Sequence, residues 1–127
     1  MAAWTKDELS RFGGAEEVEV AAVTRDGSVR NRVTIWAVRH GEELFVRSVR
    51  GRDGAWFRAV QGSKEGRILA GRLERDVTFE ESDSAINDEI DAAYRSKYRR
   101  YAGRILNSVL TPEARSTTLR LVPGKPG

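Results

Sequence analysis

The 127-residue chain contains no cysteine. Disulfides, thiolate metal sites and a cysteine nucleophile are therefore excluded together. It has one histidine, His40, next to Gly41 in a predicted turn. With no second imidazole and no obvious carboxylate neighbour, a Ser-His-Asp relay, a histidine metal site and histidine base catalysis all lack material. No apolar run is long enough to cross a bilayer, and no secretory leader is recognisable, so a cytoplasmic protein without membrane attachment is the expectation. Aromatic residues make up only 8% of the chain and do not interleave with a long basic run. Base stacking on a single strand is thus not expected, and nucleic acid is an improbable partner.

What remains is ordinary for a globular domain: 39% hydrophobic and 32% charged residues, in a length that suits one domain over 1–127. The net charge of +3 is unevenly spread. Residues 25–58 and 94–127 are basic, whereas 81–93 hold five acids and no base. The two basic blocks could converge on one anion; solvated surface and helix-dipole pairing are the competing account. Asp83, Asp88, Glu89 and Asp91 are spread around a helix start, where dipole pairing explains them better than a metal does.

Periodicity predicts six strands and two main helices. A short helix over about 5–12 carries a capping box, Thr5 with Glu8. Strands are expected at Val18–Thr24, Val29–Val38, Glu43–Ser48, Arg67–Ala70, Leu73–Phe79 and Thr117–Val122. The Arg25-Asp26-Gly27-Ser28 stretch is a hairpin turn. A helix at Asp53–Gln61, with Asp53 as N-cap, follows the third strand; a longer one at Ser84–Tyr101 precedes the last. Pro112–Arg115 reads as a turn and 123–127 as a frayed tail. Hairpin-linked strands with late helices point to a mainly β, α+β fold: a six-stranded antiparallel split barrel.

The densest chemistry lies in Arg47-Ser48-Val49-Arg50-Gly51-Arg52-Asp53-Gly54-Ala55-Trp56-Phe57. A strand end passes through a basic, Gly-containing turn into a helix N-terminus, where free amides and the dipole favour an anion and arginines supply forked donors. No GxxxxGK[ST] phosphate loop is present.

This order of elements resembles the split-barrel flavin and deazaflavin oxidoreductases, the pyridoxamine-phosphate oxidase-like proteins and deazaflavin-dependent nitroreductases. The residues that carry the resemblance are Gly27-Ser28-Val29-Arg30-Asn31-Arg32-Val33-Thr34-Ile35-Trp36, then Leu44-Phe45-Val46-Arg47-Ser48, then Gly51 to Phe57, then Gly66-Arg67-Ile68. The chain is most similar to a small bacterial family of unknown function related to the nitroreductases. The resemblance implies a cofactor, FMN or a deazaflavin, a small-molecule substrate and a homodimer. It also implies cofactor-binding roles for Arg30, Arg32, Trp36, Arg47, Ser48, Arg50, Gly51 and Trp56. Two features depart from the deazaflavin pattern: Gly27-Ser28-Val29-Arg30 replaces a Gly-Lys-x-Arg hairpin, and the spacer before Trp56 is short and lacks proline.

Each candidate has a plainer reading. Arg30, Arg32 and Trp36 share one strand face, which could reach an anion or simply be solvated. A half-buried Arg47 needs a partner, either a phosphate or an acid such as Asp53. Trp56 suits core packing better than ligand stacking. Tyr94 and Tyr98, with Tyr101, share a helix face; they are candidates for a proton-donating hydroxyl, against a core stripe with polar tips. The implied reaction is hydride transfer to a small conjugated or nitro-type acceptor. A non-catalytic module for haem, a nucleotide or another anion is the alternative, as is a cofactor-free enzyme of specialised metabolism.

Overall fold

A computed structural model describes residues 3–24 and 26–124. Arg25 of the predicted hairpin turn and residues 125–127 of the predicted tail lie outside the described residues. The elements are α1 (Lys6–Gly14), β1 (Val18–Val23), β2 (Val29–Ile35), β3 (Ala37–His40), β4 (Glu43–Val46), α2 (Ala55–Ser63), β5 (Glu65–Ala70), β6 (Leu73–Glu81), α3 (Asn87–Lys97), α4 (Arg104–Asn107), α5 (Pro112–Arg115) and β7 (Leu119–Pro123). The capping box forms as the sequence predicts: Glu8 N donates to Thr5 Oγ1 at 3.0 Å, and Thr5 N donates to the Glu8 carboxylate at 2.9 Å.

All seven strands join one antiparallel sheet in the order β2-β1-β5-β6-β7-β4-β3. β2 and β3 occupy its two edges, yet only Trp36 separates them in sequence. The chain therefore steps from one edge to the other across one residue, which curls the sheet into a barrel split at that junction. The predicted second strand, Val29–Val38, is thus two strands, and the count is seven rather than six. Side-chain alternation runs through Trp36 without interruption, so no local signal marks the break. Its cause is tertiary. At such a junction the backbone carbonyls lose ladder partners and must find others. Tyr94 Oη donates to the Trp36 carbonyl at 3.0 Å, and Lys97 Nζ donates to the Ala37 carbonyl at 2.6 Å. The predicted helix stripe thus supplies donors to the carbonyls at the split.

Other boundaries shift for similar reasons. The helix expected at Ser84–Tyr101 is a 3-10 turn, α3 and a second 3-10 turn. Pro112–Arg115 is one turn of α-helix capped by Thr111 rather than a bare turn. Gly54, not Asp53, is the N-cap of α2, because Asp53 lies within a preceding 3-10 turn, Gly51–Asp53.

Two apolar cores result. Inside the barrel, Val20, Leu44, Phe57, Ile68, Phe79 and Leu121 pack together under α1 and α2. Outside it, α3 lays Ile90, Tyr94 and Tyr98 on Val38 and Phe45. β4 serves both, Leu44 and Val46 inward and Phe45 outward, as its alternation requires. Gly66 fixes one wall of the inner core. A Cβ there would stand 2.2 Å from the Ala21 carbonyl oxygen and 2.3 Å from Phe79 Cε2. Neither neighbour is the end of a flexible chain, so Gly66→Ala is expected to cost about 1–3 kcal/mol of overpacking, read as a lowered denaturation midpoint.

Lys97 gives a second test of the junction. Burial pushes its ammonium down from 10.5 to about 8. Between those values the unfolded chain binds a proton that the folded chain has lost, so this group makes stability rise with pH from 8 to 10.5. Lys97→Met is expected to remove that rise when urea midpoints at either end of the window are compared.

Candidate functional site

β4 ends at Val46, and Arg47–Arg50 carry the chain away from the sheet. Gly51 starts the 3-10 turn with φ +70°, and Gly54 leads into α2. This segment and β2 diverge from the Trp36 corner, since Ala37 pairs with Val46 while Ile35 pairs with Val18. The space between them is a cavity of about 620 Å³, walled by Val33–Trp36, Arg47–Arg50, Gly54–Trp56, Glu17 and the stretch around α4. That volume suits a drug- or cofactor-sized ligand.

At the α2 end three features favour an anion. Gly54 brings no side chain to cap the helix, and the first helical bond runs from Arg58 N to Gly54 O at 3.0 Å. The amides of Ala55 and Trp56, two residues of the cavity wall, are therefore left without an intrahelical acceptor. Ser48 is 1% exposed, lines the cavity, and its Oγ has no hydrogen-bond partner. Buried hydroxyls are normally satisfied, and this one, itself sealed from solvent beneath the cavity wall, lacks an acceptor. Its position beside the cap is tight: a Cβ on Gly54 would come 2.7 Å from Ser48 Oγ. Arg50 is exposed on the same wall, and no carboxylate pairs with it among the described residues.

Arg47 has a different task. Its guanidinium is fully buried, and five hydrogen bonds occupy its donors. Nε donates to Thr118 Oγ1 at 2.9 Å, and Nη1 donates to the Asp91 carboxylate and to the Val109 carbonyl at 2.8 Å. Nη2 donates to the carbonyl and side chain of Asn87. The acid that meets Arg47 comes from α3, not from Asp53. The arginine ties β4 to α3 and contributes a wall rather than a free charge.

The remaining predicted residues divide. Trp36 lines the cavity and stacks on Tyr98, ring centroids 3.9 Å apart and planes within 3°. Trp56 also lines it, while packing edge-on against Phe57. Gly51 lies behind the wall, where a Cβ would approach Glu113 Cβ at 3.1 Å. Arg30 and Arg32 are exposed on β2 and do not reach the cavity; Arg32 pairs bidentately with Glu19 at 2.7 and 2.8 Å. Tyr94 and Tyr98 are buried outside it. Tyr98 Oη donates to the Glu16 carbonyl at 2.8 Å, and burial pushes both phenols above their ordinary value. The sequence reading missed Glu17, Ile105, Ser108 and Val109, which arrive from distant segments with no local motif to announce them.

Among the described residues, no group of three or more histidine, aspartate or glutamate side chains is placed to hold a metal ion. No helix among them is long and apolar enough to cross a membrane.

Residues 8–121 match a bacterial family described as "uncharacterized protein conserved in bacteria (DUF2255)", and the chain belongs to that family. No curated protein matches it. Three solved structures similar to it are an FAD-binding protein from Mesorhizobium loti, a candidate pyridoxamine 5'-phosphate oxidase from Listeria innocua and an F420 reductase. The first has 14% identity and a TM-score of 0.60, covering 98% of this chain and 93% of the other. The second has 15% identity and a TM-score of 0.63, covering 92% and 90%. The third has 16% identity and a TM-score of 0.56, covering 95% and 96%. At such identities the shared property is the fold: this chain is a split barrel.

Proposed function

We propose that this member of the family binds FMN or a deazaflavin in the cavity and serves hydride transfer to a small conjugated or nitro-type acceptor. The observation that carries the reading is the unpartnered Ser48 Oγ beside the uncapped start of α2. A phosphate there would accept from the Ser48 hydroxyl and the Ala55 and Trp56 amides, with Arg50 adding charge. Trp36, Trp56, Val33 and Ile35 offer an apolar wall for a flat ring. The cofactor, when bound, supplies the redox chemistry, and the chain supplies position and exclusion of water.

A homodimer belongs to the same proposal. Val49 and Ile105 line the cavity and are 54% and 58% exposed, an apolar margin that a second copy would cover. Sedimentation velocity tests it.

One observation favours the alternative, a non-catalytic module that holds a haem, a nucleotide or another anion. Glu17, Arg47 and Arg50 are the only titratable groups on the cavity wall among the described residues, which leaves little for acid–base work. Fluorescence titration of the purified protein with FMN, FAD and a deazaflavin separates the two. Micromolar or tighter binding of one of them is expected. Failure of all three would move the assignment to the binding module or to a cofactor-free enzyme.

A further inference from the structure

All three tyrosines of the chain, Tyr94, Tyr98 and Tyr101, gather around Trp36, which lines the cavity. Face-to-face stacking joins Trp36 to Tyr98, and the Tyr101 ring stands 5.3 Å from the Trp36 ring, centroid to centroid. Tyr98 is buried, whereas Tyr101 is partly exposed. Aromatic contact thus runs from the cavity wall to solvent.

The phenols differ in what accepts their protons. Tyr94 Oη donates to the Trp36 carbonyl, and Tyr98 Oη donates to the carbonyls of Glu16 and Ala37. A backbone carbonyl accepts a hydrogen bond but takes up no proton near neutral pH. Tyr101 Oη donates to the Glu16 carboxylate, which is a base. Lys97 Nζ lies 5.0 Å from the centre of the Tyr98 ring, and Arg100 Cζ 5.0 Å from that of Tyr101. Like-charge repulsion therefore penalises a radical cation on either ring. A phenol here can hold an electron vacancy cheaply only by losing its proton, and among the three only Tyr101 has a base to take it. No cysteine competes for the vacancy, and the single methionine is Met1.

We infer that Trp36 and Tyr101 form a one-electron relay, which carries oxidising equivalents from the cavity wall to the protein surface with Glu16 as proton acceptor. An oxidising radical in the cavity removes one electron from the Trp36 indole. The Trp36 radical cation regains an electron from Tyr101, and the Tyr101 hydroxyl proton passes to Glu16, leaving a neutral phenoxyl radical. A phenol that gives up its proton as it is oxidised is a better one-electron donor than an indole, so the step runs outward. A soluble one-electron donor such as ascorbate then returns the electron, and Glu16 returns the proton. The relay goes beyond the cofactor reading and does not depend on it, since Trp36 lines the cavity whatever occupies it.

The test is pulse radiolysis of the ligand-free protein with azide radical, which oxidises indoles to tryptophanyl radicals. Transient absorption follows tryptophanyl decay and tyrosyl growth. The wild type is expected to show delayed tyrosyl growth at a rate independent of protein concentration. Tyr101→Phe keeps the ring without the hydroxyl and should abolish that growth. Trp36→Phe should abolish it too, although Trp4 and Trp56 remain to be oxidised. Glu16→Gln keeps an acceptor for the Tyr101 hydrogen bond but removes the base, and should slow the growth at least about tenfold. Growth that persists in Tyr101→Phe or in Trp36→Phe would overturn the relay, and an unchanged rate in Glu16→Gln would overturn the role of Glu16. A wild type without delayed growth would sink the inference while leaving the cofactor reading untouched. Glu16 is exposed and Tyr101 only partly buried, so their variants should keep the fold.

Discussion

Arg47→Met is expected to destabilise the protein by about 3–5 kcal/mol, the usual result of breaking a buried ion pair from one side. The substitution keeps much of the volume but removes every donor. Asp91 would stay buried at the foot of α3 without its main cation. The Val109 and Asn87 carbonyls and Thr118 Oγ1 would each lose a partner. Arg115 Nε stands 3.3 Å from the other Asp91 oxygen and would relieve part of the stranded charge. Replacing Asp91 with leucine as well should recover a large share, because an apolar pair in place of a buried salt bridge is often neutral. Guanidinium unfolding of the two variants reads both effects. A loss below about 1 kcal/mol would mean that the guanidinium is not held as described. It would also reopen the reading in which Arg47 is reserved for a ligand.

That outcome bears on what the residues announced in advance. A strand running up to Arg47-Ser48, followed by a Gly-containing turn and a helix, is a local pattern. The structure keeps Ser48, Arg50 and Trp56 together for that reason. Barrel class and hairpin order were legible in the same way, from alternation broken by Asp-Gly and Gly-containing turns. The fate of a charge was not. Arg32 and Arg47 look alike in sequence, yet one lies flat against Glu19 on the surface and the other is consumed by α3. Only the cross-strand and cross-layer neighbours decide this. The break at Trp36 and the arrival of Glu17 are likewise consequences of sheet closure. They follow from pairings between residues far apart in the chain, Ala37 with Val46 and Val20 with Ile68. Tyr94 and Tyr98 show the limit from the other side. Their helical spacing was plain, and their polar tips do have a task, but the task is to satisfy backbone carbonyls at the split.

The largest expected effect on binding comes from one methyl group. Gly54→Ala should lower FMN affinity by about 100-fold, or about 2.7 kcal/mol. The added Cβ would lie 2.7 Å from Ser48 Oγ, forcing the hydroxyl aside and filling the notch in front of the Ala55 and Trp56 amides. Gly54 has φ −60° and ψ 137°, angles open to alanine, so the backbone itself need not change. Stability should accordingly fall by no more than about 1 kcal/mol, the difference between glycine and alanine as N-caps. Ser48→Ala alone removes one donor to a charged phosphate and is expected to cost about tenfold, near 1.5 kcal/mol. The double variant discriminates steric from electrostatic loss. With Ser48 Oγ gone, the Gly54→Ala methyl has room, so the double variant should bind FMN more tightly than Gly54→Ala alone. Two losses that simply add would instead mean that the Gly54→Ala methyl acts on the phosphate without working through Ser48 Oγ. An unchanged FMN affinity in Gly54→Ala would remove the start of α2 from the site altogether.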